Sequence, residues 1–170
     1  MTQKEAKERS SVEGMPTAQL LSTYRSILRE LRKREVIRTT NAPTGDYAEF
    51  LVARLLGVKL APNSERSWDL RDQDDKTLQV KSRVVANPRT AGERQLSPFR
   101  SFGFDEMAIV LFDDDYRVWR AVRLPVTVAE ERSTYRPHVN GHILFAKDQL
   151  LNDPLAIDIT SELQAVAGER

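Results

Sequence analysis

A chain of 170 residues, 40% hydrophobic and 30% charged, is long enough for one domain with a real core. It has no cysteine, which excludes disulfides and thiolate metal centres. Its 26 basic and 25 acidic side chains nearly cancel, so a global electrostatic pull on nucleic acid is excluded and any such contact has to use a local patch.

The first fifteen residues are rich in Lys, Glu and Ser and read as a disordered arm over 1–15. They lack the apolar stretch of a signal peptide, and no segment reads as a bilayer span, so the expected setting is the cytoplasm. A single domain is expected over 16–170. Pro16 and Thr17 open a helix whose Leu20, Leu21, Tyr24, Ile27, Leu28 and Leu31 fall on one stripe at helical spacing. Its basic end, Arg29, Arg32, Lys33, Arg34 and then Arg38, reads as a solvated face beside the negative end of the helix dipole, with phosphate contact as the other reading.

After a linker at 39–43, a second helix is expected over 45–56, with Thr44 as N-cap and Gly57 as the C′ stop. It is apolar almost all round, so it should be buried. Glu49 is the exception, and a carboxylate on such a helix needs a partner or a metal.

Residues 67–83 are the informative stretch. Two arms with period-two alternation flank the polar turn 72–76. Trp68 and Leu70 are expected on one apolar face, with Leu78, Val80 and Val84 on the matching face of the second arm. Setting apolar beside apolar places Leu70 opposite Leu78 and Trp68 opposite Val80. Asp69 then opposes Gln79, with Lys81 on a diagonal. Opposed residues lie about 5 Å apart at Cβ, a separation that suits three side chains reaching for one metal ion and one phosphate. The plainer reading is a hairpin with a polar outer face.

Residues 85–104 look irregular, with a short helix near 92–96, and carry Arg89, Arg94 and Arg100. Together with Arg83 these either contact phosphates or solubilise a loop. The apolar run at 106–112 suits a central strand. Residues 113–115 form a turn, and 116–122 alternate, with Val118 and Val122 expected on one face and Trp119 and Ala121 on the other. A helix at 125–131, a turn at 138–142, a strand at 143–145 and helices at 146–152 and 160–167 follow. His138 and His142 read as turn or strand residues rather than a helical metal pair.

A helix bearing Glu, a strand bearing Asp and a strand bearing Gln79-Val80-Lys81, in the place of an acid-x-Lys strand, resembles the layout of the PD-(D/E)xK, or restriction-endonuclease-like, nucleases, over roughly residues 43–112. The resemblance implies an α/β fold of mixed α+β type, with a central mixed sheet flanked by helices in αβββαβ order. It makes Asp69 the motif's Asp, Gln79-Val80-Lys81 its (D/E)xK and Glu49 the helix acid. Catalytic roles would fall to Asp69, Gln79, Lys81 and Glu49. Mg²⁺ or Mn²⁺ would be held by Asp69, the Gln79 amide oxygen, the Val80 carbonyl and Glu49. The implied function is metal-dependent hydrolysis of DNA phosphodiester bonds, with a homodimer as a possible assembly and no membrane partner. Gln79 stands where Glu or Asp is usual, although some branches carry Gln there. The other reading is therefore the same fold without catalysis, as a DNA-binding or protein-interaction module.

Overall fold

The computed structural model describes residues 12–62, 67–86 and 91–168. The arm expected over 1–15 lies mostly outside them. The chain divides into two compact units, Met1–Pro43 and Thr44–Arg170, with the boundary at the linker that follows the first helix.

In the first unit, α1 (Thr17–Lys33) follows Pro16 and ends in its basic turn. Glu35 adopts a left-handed conformation (φ 58°). Its N–H donates to Arg32 O, and the Val36 N–H donates to Leu31 O. These two bonds satisfy carbonyls that the helix end would otherwise leave open. Leu21, Tyr24 and Ile27 are exposed on α1. Among the described residues no helix is long and apolar enough to cross a membrane.

The second unit is a mixed α/β structure built on one sheet. α2 (Thr44–Leu56) comes first, then strands β1 (Leu70–Arg71), β2 (Thr77–Val84), β3 (Glu106–Phe112) and β4 (Val118–Pro125). The helix α3 (Val126–Arg132) leads into a hairpin of β5 (Thr134–Arg136) and β6 (Gly141–Ile143). The chain ends in α4 (Asp148–Leu151), β7 (Ile157–Asp158) and α5 (Thr160–Gly168). The main sheet has the order β1-β2-β3-β4-β7, and β5-β6 form a separate two-stranded sheet. β2 and β3 are parallel; the other pairings are antiparallel.

β3 lies in the middle, and its apolar run is explained by burial on both faces. Ala108, Val110 and Phe112 pack with α2 and with Leu163 of α5. Met107, Ile109 and Leu111 pack with Val128 of α3, Leu150 of α4 and Phe99 and Phe104 of the β2–β3 crossover. The sheet is thus sandwiched between two apolar layers. α2 stops where the sequence indicates. Gly57 has φ 66°, and the bonds Gly57 N to Arg54 O and Val58 N to Ala53 O close the helix end. The Gln73 side chain, from the β1–β2 turn, donates to Leu56 O at 3.2 Å.

Two face assignments need correction. Trp68 does not share a face with Leu70. Leu70, Leu78 and Val80 pack beneath α2, whereas Trp68 joins the opposite layer. The chain bends at Asp69, so β1 begins only at Leu70 and the alternation fails one residue earlier. On β4, Val118 and Ala121 share the α2 layer, while Trp119 and Val122 lie in the other. A register shift opposite Leu111/Phe112 inserts an extra residue and reverses the alternation.

The crossover ends in a mutual clasp. The Thr77 N–H and hydroxyl both donate to Asp105 Oδ2 at 2.8 Å, and the Asp105 N–H returns to Thr77.

Two outcomes are expected. Gly57→Ala should cost about 1–2 kcal/mol in denaturant unfolding, because a Cβ disfavours this left-handed conformation while meeting only an ordinary contact, Gln73 Nε2 at 3.7 Å. The bonds from Thr77 hold the Asp105 carboxyl below its ordinary value of 3.8. A carboxyl depressed in the folded state stabilises fully above that ordinary value and loses the contribution as pH falls through the folded one. The melting-temperature advantage of the wild type over Asp105→Ala should therefore shrink between about pH 6 and about pH 3; an advantage unchanged over that range would show that the clasp is not titrating.

Candidate functional site

The polar groups of interest collect where β1 stops pairing with β2. The register sets Leu70 opposite Leu78 and Arg71 opposite Thr77, as the apolar pattern requires. One step further, the Asp69 N–H still donates to Leu78 O at 2.8 Å, but among the described residues no strand backbone meets Val80 on the side away from β3. The Asp69 side chain takes that place. Its Oδ2 accepts the Val80 N–H at 2.6 Å and the Gln79 Nε2 amide at 2.6 Å. A carboxylate oxygen accepting two such donors is held in one orientation.

This arrangement also positions the Val80 carbonyl. The N–H and C=O of one strand residue project toward the same neighbour. Because the Val80 N–H points at Asp69, its carbonyl turns to the same open edge rather than to β3. The edge thus offers a carboxylate, an amide side chain and a backbone carbonyl, all within the reach of one residue pair.

Strand alternation puts Gln79, Lys81 and Arg83 on the face away from α2. There Gln79 and Lys81 line a cleft of about 470 Å³ together with Ser67, Pro98, Phe99, Arg100 and Ser101. Lys81 Nζ lies 3.5 Å from both Ser97 Oγ and the Pro98 carbonyl and 5.8 Å from the centre of the Phe99 ring. The crossover loop therefore roofs the ammonium group. Desolvation is the dominant effect on it and pulls its pKa below the usual lysine value, against the opposing pull of the Asp69 and Glu49 carboxylates. That both charges act on Lys81 puts Glu49 of α2 within electrostatic reach of the same spot. Among the described residues no three carboxylate or imidazole side chains gather. The donors at the edge are the Asp69 carboxylate and the neutral oxygens of Gln79 and Val80, a hard-ligand set of the kind that Mg²⁺ or Mn²⁺ takes.

The arginines separate into different environments. Arg100 is exposed at the cleft wall. Arg83 is exposed and donates to Gln95 O at 2.6 Å. Arg89 lies outside the described residues. Arg94 corrects the reading of a phosphate contact: it is 8% exposed, pairs with Asp148 and stacks over Trp119 at 4.9 Å. An arginine committed in this way ties the crossover to α4. Sequence reasoning passed over Ser67, Pro98 and Phe99 as cleft residues. Three phenylalanines, Phe99, Phe102 and Phe104, clustered around Arg100 were the available signal.

Compared with known proteins, the chain matches no family model and no curated sequence.

The Asp69–Gln79 contact leads to a direct expectation. Gln79→Glu would set two carboxylates against each other, so in EDTA the variant should melt below the wild type. If the edge holds a cation, millimolar Mn²⁺ should raise the melting temperature of the variant more than that of the wild type, since a ligand bound only by the folded state stabilises it. Equal, negligible shifts in both proteins would mean that the edge binds no metal.

Proposed function

We propose that this cleft is a metal-dependent phosphodiester hydrolysis site acting on DNA, of the restriction-endonuclease-like kind, in a cytoplasmic protein. The observation that supports it is the convergence of Asp69 and Gln79 on one hydrogen bond beside a desolvated Lys81, at the mouth of a cleft walled by Arg100.

Asp69 would be the principal metal ligand, with the Gln79 amide oxygen and the Val80 carbonyl completing the edge and Glu49 reaching in from α2. When bound, the ion would neutralise charge on the phosphate and lower the pKa of its water. The protein's own groups would do the positioning. The two donors to Asp69 Oδ2 set the rotation of the carboxylate. The loop at Ser97 and Pro98 would keep Lys81 Nζ aimed into the cleft, where it orients the attacking water or stabilises negative charge on the phosphoryl oxygens. A lowered lysine pKa brings the neutral amine within easier reach at physiological pH, which suits a proton-accepting role. Arg100 would hold a neighbouring phosphate.

A second reading has its own observation. Gln79 already satisfies Asp69 with a neutral amide, without any cation, so the same arrangement could serve a binding module that does not cut. Cleavage of supercoiled plasmid by the full-length protein in Mg²⁺ or Mn²⁺ separates the two. Asp69→Ala and Lys81→Ala should keep their folded circular-dichroism spectra and lose about 100-fold or more in cleavage rate. Metal-dependent cutting that survives unchanged in either variant rules out the assignment.

A further inference from the structure

The β5–β6 hairpin stands beside the cleft and is not needed to explain it. Its position is set by the cleft wall itself. Phe99 and His142 exchange backbone hydrogen bonds, Phe99 N to His142 O at 3.1 Å and His142 N to Phe99 O at 2.7 Å. Gly141 allows the approach, since a Cβ there would meet Phe99 O at 3.1 Å and Pro98 Cβ at 3.3 Å. The hairpin is therefore an extension of the loop that roofs Lys81.

One face of this extension is aromatic. Tyr135 and His142 are cross-strand partners, so their side chains share a face. Their rings lie 5.3 Å apart. His142 in turn stacks on Phe99 at 5.8 Å and 22° and meets the edge of Phe102 at 4.5 Å. Phe99 is buried and Phe102 half-buried, so the inner rings form a fixed base. Tyr135 is the outermost ring. At 50% exposure it is the most exposed aromatic side chain among the described residues, and its hydroxyl is steadied by Asn140 Oδ1 at 3.0 Å. Residues 133–142 contain no acid and carry Arg136, His138 and His142; residues 94–101 contain none and carry Arg94 and Arg100. Of these, Arg100, Arg136 and His138 are exposed.

A run of contacting rings leading from the cleft to an exposed tyrosine, beside two acid-free segments that expose Arg100 and Arg136, has the two elements of a single-strand binding surface: a π-face for a base and cations for the backbone. We infer that Tyr135, backed by His142 and Phe102, is a stacking platform for an unpaired base of DNA, so that the protein engages single-stranded DNA or a frayed end in preference to intact duplex. A base inside a duplex keeps both faces covered by its neighbours and has none to offer Tyr135. The inference rests on reading the cleft as a site for the DNA backbone, and it is tested by binding rather than by cleavage.

The experiment is fluorescence anisotropy of the full-length protein in EDTA at one fixed, low salt concentration. The probes are labelled oligo-dT and a mixed-sequence duplex of the same length. The wild type should bind the single strand more tightly. Tyr135→Ala should weaken single-strand binding by roughly 5- to 150-fold, the range spanned by loss of one base–aromatic stack, and leave duplex binding unchanged. Tyr135→Phe should bind like the wild type, because the ring and not the hydroxyl carries the contact. A thermal melt of each variant confirms folding. Equal binding of oligo-dT by wild type and Tyr135→Ala overturns the inference, as does an equal loss for both probes. The two readings fail separately. Tyr135-dependent single-strand binding without any metal-dependent cleavage leaves the platform standing and removes the hydrolase, whereas cleavage with no dependence of binding on Tyr135 removes the platform alone.

Discussion

Pairing of β2 with β3 in the parallel sense, along seven successive residue pairs from Leu78–Glu106 to Val84–Phe112, governs where every polar group of the cleft stands. β3 is apolar on both faces and has to be covered on both. Because β2 is locked to it, the odd positions Gln79, Lys81 and Arg83 are carried to the face opposite α2, and the even positions Leu78 and Val80 are carried beneath it. The same pairing obliges the chain to cross over between the strands, since parallel neighbours cannot be joined by a tight turn. That crossover brings Ser97, Pro98 and Phe99 over Lys81. The cleft is thus a by-product of covering one greasy strand.

At the edge of this arrangement, Asp69 substitutes for backbone. A third residue pair of β1 with β2 would have taken the Val80 N–H and closed the edge. The bend at Asp69 withdraws the main chain and offers a side-chain carboxylate instead. An unsatisfied buried N–H costs about 1–3 kcal/mol, so the carboxylate has a structural task whatever else it does. The Gln79 amide adds a second donor to the same oxygen. An acid at position 79 would repel Asp69 unless a cation lay between them; an amide lets the edge form without one. The structure therefore gives Gln79 a physical reason to be where it is in either functional reading.

Much of this was legible in the residues, and the failures share a cause. The run from Met107 to Phe112 announces a strand buried on both faces, and the helix ending at Gly57 is marked by the one residue that adopts its φ without strain. Matching Leu70 with Leu78 gives the observed register, because only that pairing keeps both leucines inside. Alternation then misleads at Trp68 and at Val118, where a bend and a bulge break the period; large side chains fill either layer equally well, so nothing in their identity marks the break. Arg94 is misread for a different reason. An arginine that stacks on Trp119 and reaches Asp148 is indistinguishable, as a letter in a polar loop, from one that faces solvent like Arg100. The parallel sense of β2 and β3 is likewise silent locally, since it depends on the path of residues far apart in the chain.

That path has a consequence for how the molecule comes into being. The hairpin that carries Asp69, Gln79 and Lys81 is a local structure, closed by a short turn. The roof over Lys81 arrives only when β3 docks, and parallel docking across a long connection is among the slower events in folding because loop-closure entropy is lost before any contact compensates it. Until that wall closes, Lys81 lacks the Ser97 and Pro98 groups that roof it in the folded protein.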